Sequence, residues 1–357
     1  YVRKPCPHVE LGVPCNPRKS LCVCGTRYIP VEIIDVAGLV PEAHAGKGLG
    51  NKFLDDLRHA DALIHIVDAT GATDAEGNFL PPKSRDPWED VNFLEKEIAY
   101  WIAGIIGRGW IRIARRLEAE KIKIEVALSE RLSGLNIGER EIHTALNNVD
   151  LKKPPTKWND MDILHLSFEI RRIAKPMVIA ANKADAADEE YLSSFIKKAK
   201  EKGYYAIPVS ADYELALKKA AKVGLISYNP GDEDFEIIQE DRLNQRQLNA
   251  LEKIREFMRK FGGTGVQKVI EYTVFNLLRM IAVYPVEDEN KWTDKDGNVL
   301  PDVYLFREGS TAIDLAYKVH TELGENFIRA IDGRTKKILG HDYPLHDGDV
   351  IKIIARR

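Results

Sequence analysis

The sequence lacks any apolar run long enough to span a bilayer, and it has almost no charge imbalance: 52 Lys and Arg against 55 Asp and Glu leave a formal net charge of -3 over 357 residues. The first absence excludes a membrane-spanning helix, and the second excludes a generally basic nucleic-acid binder, so any anionic partner must meet a local basic surface. Cysteine is scarce, with four in all: Cys6, Cys15, Cys22 and Cys24, with His8 between the first two. In a cytosolic protein such clustering favours thiols or a metal over a disulfide framework. Soft thiolates hold Zn²⁺ tetrahedrally, which makes Cys6, Cys15, Cys22 and Cys24 candidate zinc ligands. The alternative is free cysteines in a loop or hairpin, because C-x8-C and C-x-C are not the familiar C-x-x-C pairs. Pro7, Pro14 and Pro17 with Gly12 mark residues 6–24 as an irregular excursion. A chain of 357 residues, 44% apolar and 30% charged, reads as a globular cytoplasmic protein of two or three domains.

What is present is a set of short motifs that each close a strand. Met177-Val178-Ile179-Ala180-Ala181 is an apolar strand, and Asn182-Lys183-Ala184-Asp185 follows it directly. An aspartate there can accept hydrogen bonds from the ring N–H and exocyclic amine of guanine, a pairing that adenine does not offer. The asparagine holds the loop, and the aliphatic stem of Lys183 can cover one face of the ring. Upstream, Val31-Glu32-Ile33-Ile34 reads as a strand ending in Asp35-Val36-Ala37-Gly38. In nucleotide switches the aspartate of such a D-x-x-G sits near Mg²⁺ through a water, and the glycine N–H meets the γ-phosphate. Downstream, Ala206-Ile207-Pro208-Val209 leads into Ser210-Ala211, whose backbone is placed to contact guanine. D-x-x-G, N-K-x-D and S-A in that order, each after a strand, make chance improbable.

The residues between narrow the family. After Gly38 the chain reads Leu39-Val40-Pro41-Glu42-Ala43-His44-Ala45-Gly46-Lys47-Gly48-Leu49-Gly50-Asn51-Lys52-Phe53-Leu54, then a strand over 62–67 and Asp68. This resembles the Obg class of GTPases, in which a glycine-rich segment runs into G-L-G-N-x-F-L, and within it the YchF-like branch in its archaeal form. The resemblance implies Mg²⁺-dependent hydrolysis of GTP, a P-loop-NTPase-type α/β G domain with a mainly parallel sheet, and a link to ribosomes or RNA. Many YchF proteins depart from N-K-x-D and prefer ATP; this chain keeps the guanine pattern.

No G-x-x-x-x-G-K-[ST] occurs in the sequence. Ala45-Gly46-Lys47-Gly48 holds a Gly-Lys pair, but no Ser or Thr follows the lysine and the pair lies after D-x-x-G. In the resembling family the phosphate loop precedes D-x-x-G, so an N-terminal segment absent from this chain is expected, with a non-hydrolysing pseudo-GTPase or RNA-binding protein as the alternative. The chain as it stands is then expected to bind GTP weakly. Leu39 stands where Ras-like enzymes carry a water-orienting glutamine, so intrinsic hydrolysis is expected to be slow, and His44 is the one speculative supplier of that function.

Residues 69–88 read as a loop, after which the period changes. Val91, Leu94, Ile98, Trp101, Ile102 and Ile105, then Trp110, Ile113, Leu117, Ile124 and Leu128, recur at helical spacing. They predict two helices in an antiparallel hairpin across Gly107 and Gly109, with a third over about 139–147. Arg108, Arg112, Arg115 and Arg116 fall on one face near the start of the second helix, either for an anionic partner or as a solvated surface. Further helices are expected over 215–223, 244–260 and 266–280, with Gly262-Gly263-Thr264-Gly265 capping them. From Ala282, strands at 283–286 and 303–306, a helix over 311–323, a strand at 327–331 and a last strand at 350–354 follow. The order E-G-S-T, D-L-A, V-H and D-G-D-V resembles the TGS domain, a ubiquitin-like β-grasp module. The expected layout is a G domain over 1–87 and 152–281, interrupted by a helical, coiled-coil-like insert at 88–151 and followed by TGS at 282–357. The site residues read this way are Asp35, Gly38, Asn182, Lys183, Asp185, Ser210 and Ala211 for nucleotide, with Asp35 near Mg²⁺.

Overall fold

In the computed structural model, residues 1–36 and 50–356 are described. Contact density divides the chain into two units, residues 34–269 and residues 1–33 with 270–357.

The larger unit is α/β. Its sheet holds Leu63–Asp68, Met177–Asn182 and Tyr205–Pro208 in that order, all parallel. Parallel neighbours need crossover connections, and the chain supplies them as helices. The central strand is a continuous buried run from Met177 to Ala181, as expected when both faces are covered. Helices Trp88–Gly107 and Asp160–Ala174 pack along each other, and Ile98, Ile102, Leu166 and Ile170 share one core with Ile179 and Ala181. Arg171 is buried there, 3.2 Å from Glu95 and donating at 2.8 Å to the Tyr204 hydroxyl.

Three expectations are corrected here. Helix Trp88–Gly107 packs chiefly along Asp160–Ala174 and secondarily on Ile124–Leu132, rather than forming a hairpin with its sequence neighbour. The second predicted helix is two, Trp110–Glu120 and Ile124–Leu132, because Lys121 turns left-handed at φ 54° and its N–H caps Leu117 O. Val31–Ile34 is not a strand: among the described residues no segment pairs with it, and Ile33 is 61% exposed. Val31 joins the core of one unit and Val36 that of the other, which pulls this segment two ways.

The smaller unit is built around a five-stranded sheet in the order Tyr304–Arg307, Met280–Val286, Val350–Ala355, Phe327–Asp332, Ile338–Leu339. Its central pair is parallel and the others antiparallel, which is the mixed sheet of a β-grasp. Alternation along Met280–Val286 sends Val283 to one face with Phe306, Leu315 and Ile351, where helix Ala312–Val319 covers it. Ala282, Tyr284 and Val286 face the other side, where Val2, Cys6 and Ile29 cover them. The second cover is a small antiparallel sheet of Val2–Pro5, Thr26–Ile29 and Leu21–Val23, with Thr26–Ile29 in the middle. Residues 1–33, read from the sequence alongside the G domain, therefore bury their apolar side chains with 270–357. Arg3 pairs with Glu271 at 2.7 Å and Glu10 with Arg334 at 2.7 Å. The helix predicted over 311–323 breaks at His320 into Ala312–Val319 and Thr321–Glu325. Among the described residues no helix is long and apolar enough to cross a membrane.

Ile102, 1% exposed in the helix pair that covers the parallel sheet, should be a stability anchor. Ile102→Ala is expected to lower unfolding free energy by about 2–5 kcal/mol in urea titration. Met161→Ala, at a 69% exposed position, should change it by less than about 0.5 kcal/mol.

Candidate functional site

The carboxyl edge of a parallel sheet is where loops converge, and the base-reading motifs fall there. The register sets Asp68 beside Asn182 at the ends of adjacent strands. Asn182 Oδ1 accepts from the Ala211 N–H at 3.1 Å, so the N-K-x-D loop is tied to the S-A loop. The Ala184 N–H donates to Val209 O at 3.0 Å, and the Val209 N–H donates to Ala181 O at 2.9 Å, which zips the same two loops together. Ser210 is fully buried, and its hydroxyl accepts from the Tyr213 N–H at 3.2 Å, capping helix Ala211–Lys222. Asp185 and Ala211 are exposed. The five residues Asn182, Lys183, Asp185, Ser210 and Ala211 thus lie on two interlocked loops.

Lys183 adopts φ 59°, and its Nζ reaches Asp68 Oδ2 at 2.7 Å. Asp68 also accepts from Thr70 N–H at 2.9 Å, Thr70 Oγ1 at 2.6 Å and Thr73 Oγ1 at 2.9 Å. Burial works against its charge, yet the Lys183 ammonium and these donors outweigh it and hold the carboxyl below the ordinary aspartate range. Asp68 anchors the lysine head. Phe79, 88% exposed, lies with its ring centroid 6.0 Å from Lys183 Nζ. Neither role was legible in the sequence: Asp68 merely ends a strand, and Phe79 sits in a stretch read as loop.

Thr264 and Gly265 were read only as helix caps. Gly262 does cap helix Gln245–Phe261, at φ 71° with its N–H 2.7 Å from Met258 O. Thr264 O, however, accepts from the Ser210 N–H at 3.0 Å. Its hydroxyl donates to Glu214 Oε2 at 2.6 Å, and the Tyr228 hydroxyl donates to the same oxygen at 2.7 Å. Gly265, at φ 85°, presses so close to Pro208 that a Cβ would lie 2.0 Å from the Pro208 carbonyl oxygen. This buried braid fixes the S-A loop from behind.

Asp35 is exposed, and among the described residues no hydrogen bond or ion pair joins it to these loops. Gly38, Leu39 and His44 lie outside the described residues. Arg108 belongs to the turn before Gly109 and not to the helix, whereas Arg112, Arg115 and Arg116 share an exposed stretch of Trp110–Glu120. Arg116 pairs with Glu120 at 3.1 Å.

The cysteine expectation needs a correction. Cys6, Cys15 and Cys22 converge with His8, and the four ligand atoms lie within 4.8 Å of one another. Cys24 is not among them. With Gly25 it forms the tight turn between Leu21–Val23 and Thr26–Ile29, at φ 46° and 80°, which leaves it exposed at the tip. Burial pushes the Cys6 thiol up, against the His8 N–H and the Arg27 charge. Burial and the neighbouring Cys15 and Cys6 push Cys22 up to about 12.

Comparison with known proteins agrees with this geometry. Residues 180–288 match the family described as Obg-like GTPase YGR210-like, G4 motif-containing domain, and residues 292–355 match the TGS domain. The chain is 55% identical to an uncharacterized GTP-binding protein of Methanocaldococcus jannaschii over 99% of its own length and 88% of that protein. A crystal structure of a GTP binding protein from Pyrococcus horikoshii OT3 superposes with TM-score 0.81 at 45% identity, covering 100% of this chain and 92% of that one. The Ribosome-binding ATPase YchF of Buchnera aphidicola subsp. Schizaphis graminum is 24% identical over 91% of this chain and 81% of that protein.

Because Asp68 is depressed in the folded chain and regains its ordinary value, about 4, on unfolding, its contribution is complete above that value. It is lost as pH falls through the depressed folded value. Urea unfolding at a series of pH values should show Asp68→Asn less stable at neutral pH and with a shallower acid limb than the parent. Equal acid limbs would remove the charge clamp as the cause.

Proposed function

Because this chain belongs to the Obg-like, YchF-type GTP-binding proteins that carry a C-terminal TGS domain, we propose that it is a cytoplasmic nucleotide switch that reads GTP through Asp185 and hydrolyses it with Mg²⁺. The observation that carries the guanine reading is the Asn182 to Ala211 bond, which locks N-K-x-D against Ser210-Ala211 while leaving the Asp185 carboxylate exposed. In that arrangement the carboxylate accepts from the guanine ring N–H and exocyclic amine. The Lys183 stem, pinned at its far end by Asp68, covers a ring face, and the backbone at Ser210 and Ala211 meets the base edge. A relative named an ATPase indicates how the base preference can drift within the family; the retained Asp185 favours GTP in this one.

On the phosphate side, Asp35 is an exposed carboxylate with no partner among the described residues, which fits a water-bridged Mg²⁺. When bound, that ion neutralises charge developing on the phosphates. Gly38 would sense the γ-phosphate, and His44 is the candidate for orienting water where Leu39 is inert. No G-x-x-x-x-G-K-[ST] occurs in the 357 residues, so the phosphate cradle is assigned to none of them. The layout that goes with this reading is a G domain over 34–87 and 152–269, a helical insert at 88–151 and TGS at 282–357, with residues 1–33 packed with 270–357 rather than in the G domain as expected from the sequence. A ribosomal or RNA partner is supported by the ribosome-binding name of the Buchnera relative and by the exposed Arg112 and Arg115.

Nucleotide titration should give tighter GTP than ATP binding, and Asp185→Asn should weaken GTP by about 1.5–3 kcal/mol while improving XTP. Equal affinities for GTP and ATP in the unmutated protein would sink the guanine reading. For the partner, reversing charge at Arg112 and Arg115 should lower ribosome co-sedimentation, and the loss should resemble that caused by added salt, without a change in GTP affinity. Normal co-sedimentation across a salt titration would make this helix a solvated surface.

A further inference from the structure

Residues 6–22 bring together four side chains that the nucleotide site does not use. Cys6 follows the strand Val2–Pro5, His8 opens the short helix His8–Leu11, Cys15 lies in the loop beyond Gly12, and Cys22 sits in the strand Leu21–Val23. Cys6 and Cys15 sulfurs are 3.9 Å apart, and Cys22 Sγ is 3.7 Å from His8 Nδ1. Tetrahedral zinc with Zn–S of about 2.3 Å and Zn–N of about 2.0–2.1 Å has edges of roughly 3.8 Å between sulfurs and roughly 3.6 Å between sulfur and nitrogen. The two observed separations match opposite edges of that tetrahedron, and all the ligand atoms stay within 4.8 Å. No disulfide joins any of the cysteines, although Cys6 and Cys15 face each other.

The surroundings supply an independent indication. Arg27 is fully buried and stacks 5.6 Å from the Tyr284 ring centroid. Its Nη2 donates to Leu300 O, but its Nε and Nη1 have no hydrogen-bond partner. A buried guanidinium with no carboxylate partner is costly unless something nearby is negative. Arg27 lies close enough to Cys6 for its charge to act on the sulfur. Three thiolates, one neutral imidazole and one divalent ion sum to one negative charge, which is what a single buried guanidinium balances.

We propose that Cys6, His8, Cys15 and Cys22 form a structural Zn²⁺ site, with His8 ligating through Nδ1 and Arg27 as the compensating charge. Four protein ligands close the tetrahedron and leave no open position, so the ion supports structure and not catalysis. Binding breaks three S–H bonds, forms three Zn–S bonds and releases three protons to solvent, so affinity falls as pH drops. The site clips the ends of the excursion whose middle is docked by backbone bonds, Asn16 N–H to Val299 O at 2.8 Å and Arg18 N–H to Pro301 O at 3.0 Å.

The test uses the whole chain purified without chelator under anaerobic conditions. Elemental analysis should find one equivalent of zinc, and Co²⁺ replacing it should give the intense visible bands of a tetrahedral thiolate site. Cys22→Ser and His8→Ala should lose most of the metal, whereas Cys24→Ser should retain it in full with one fewer reactive thiol. Because a ligand variant can misfold, Zn²⁺ titration of metal-stripped wild-type protein is the second measurement, expected to raise the melting temperature at one ion per chain. No metal with four freely titratable thiols, a Cys6–Cys15 disulfide, or equal loss on Cys24→Ser would each overturn the site.

Discussion

The parallel pairing of Leu63–Asp68 with Met177–Asn182 is the constraint on which the larger unit rests. A parallel neighbour cannot be reached by a hairpin, so the chain between these strands must climb back over the sheet, and it does so with the long helices that bury Ile98, Ile102, Leu166 and Ile170. The same direction of travel sends every strand end to one edge. There Asp68 and Asn182 become neighbours, the lysine after Asn182 finds a carboxylate, and the asparagine itself reaches the next loop. The surface proposed to read the base follows from strand polarity before any residue on it is chosen.

What was legible in the sequence was local. The strand before Asn182, the strand before Ser210, the helices read over 139–147 and 244–260 and the β-grasp strands all repeat at their own period, and each lies close to its observed bounds. Relations between distant residues were not legible. Nothing near Asp68 announces Lys183, and nothing in Gly262-Gly263-Thr264-Gly265 announces Ser210, because each partnership is made by the sheet and not by spacing. Lys121 broke a predicted helix through a single left-handed residue, which periodicity does not register. Val31–Ile34 misled in the opposite direction, since apolar residues suit a strand but a ladder needs a neighbour.

The cysteines illustrate the same limit. By spacing, Cys22 and Cys24 belong together, two apart on a strand and facing one way. The turn formed by Cys24 and Gly25 removes the second from the cluster, and a short helix begun after Pro7 puts His8 in its place. Residue types pointed to a cluster of ligating side chains, and which of them meet was decided by where a two-residue turn happened to fall.

The smaller unit is discontinuous: Val2, Cys6 and Ile29 share a core with Tyr284, Val286 and Val350. A chain made from its amino end therefore exposes Val2, Cys6 and Ile29 until the strands that cover them, beyond residue 280, have followed. Closing a loop of that length costs only slowly growing entropy, so the finished core is not penalised much for the separation. The wait is the greater burden, because exposed strands of an incomplete fold are open to mispairing. In this part of the protein the apolar side chains of residues 1–33 wait for residues 270–357 before they are covered.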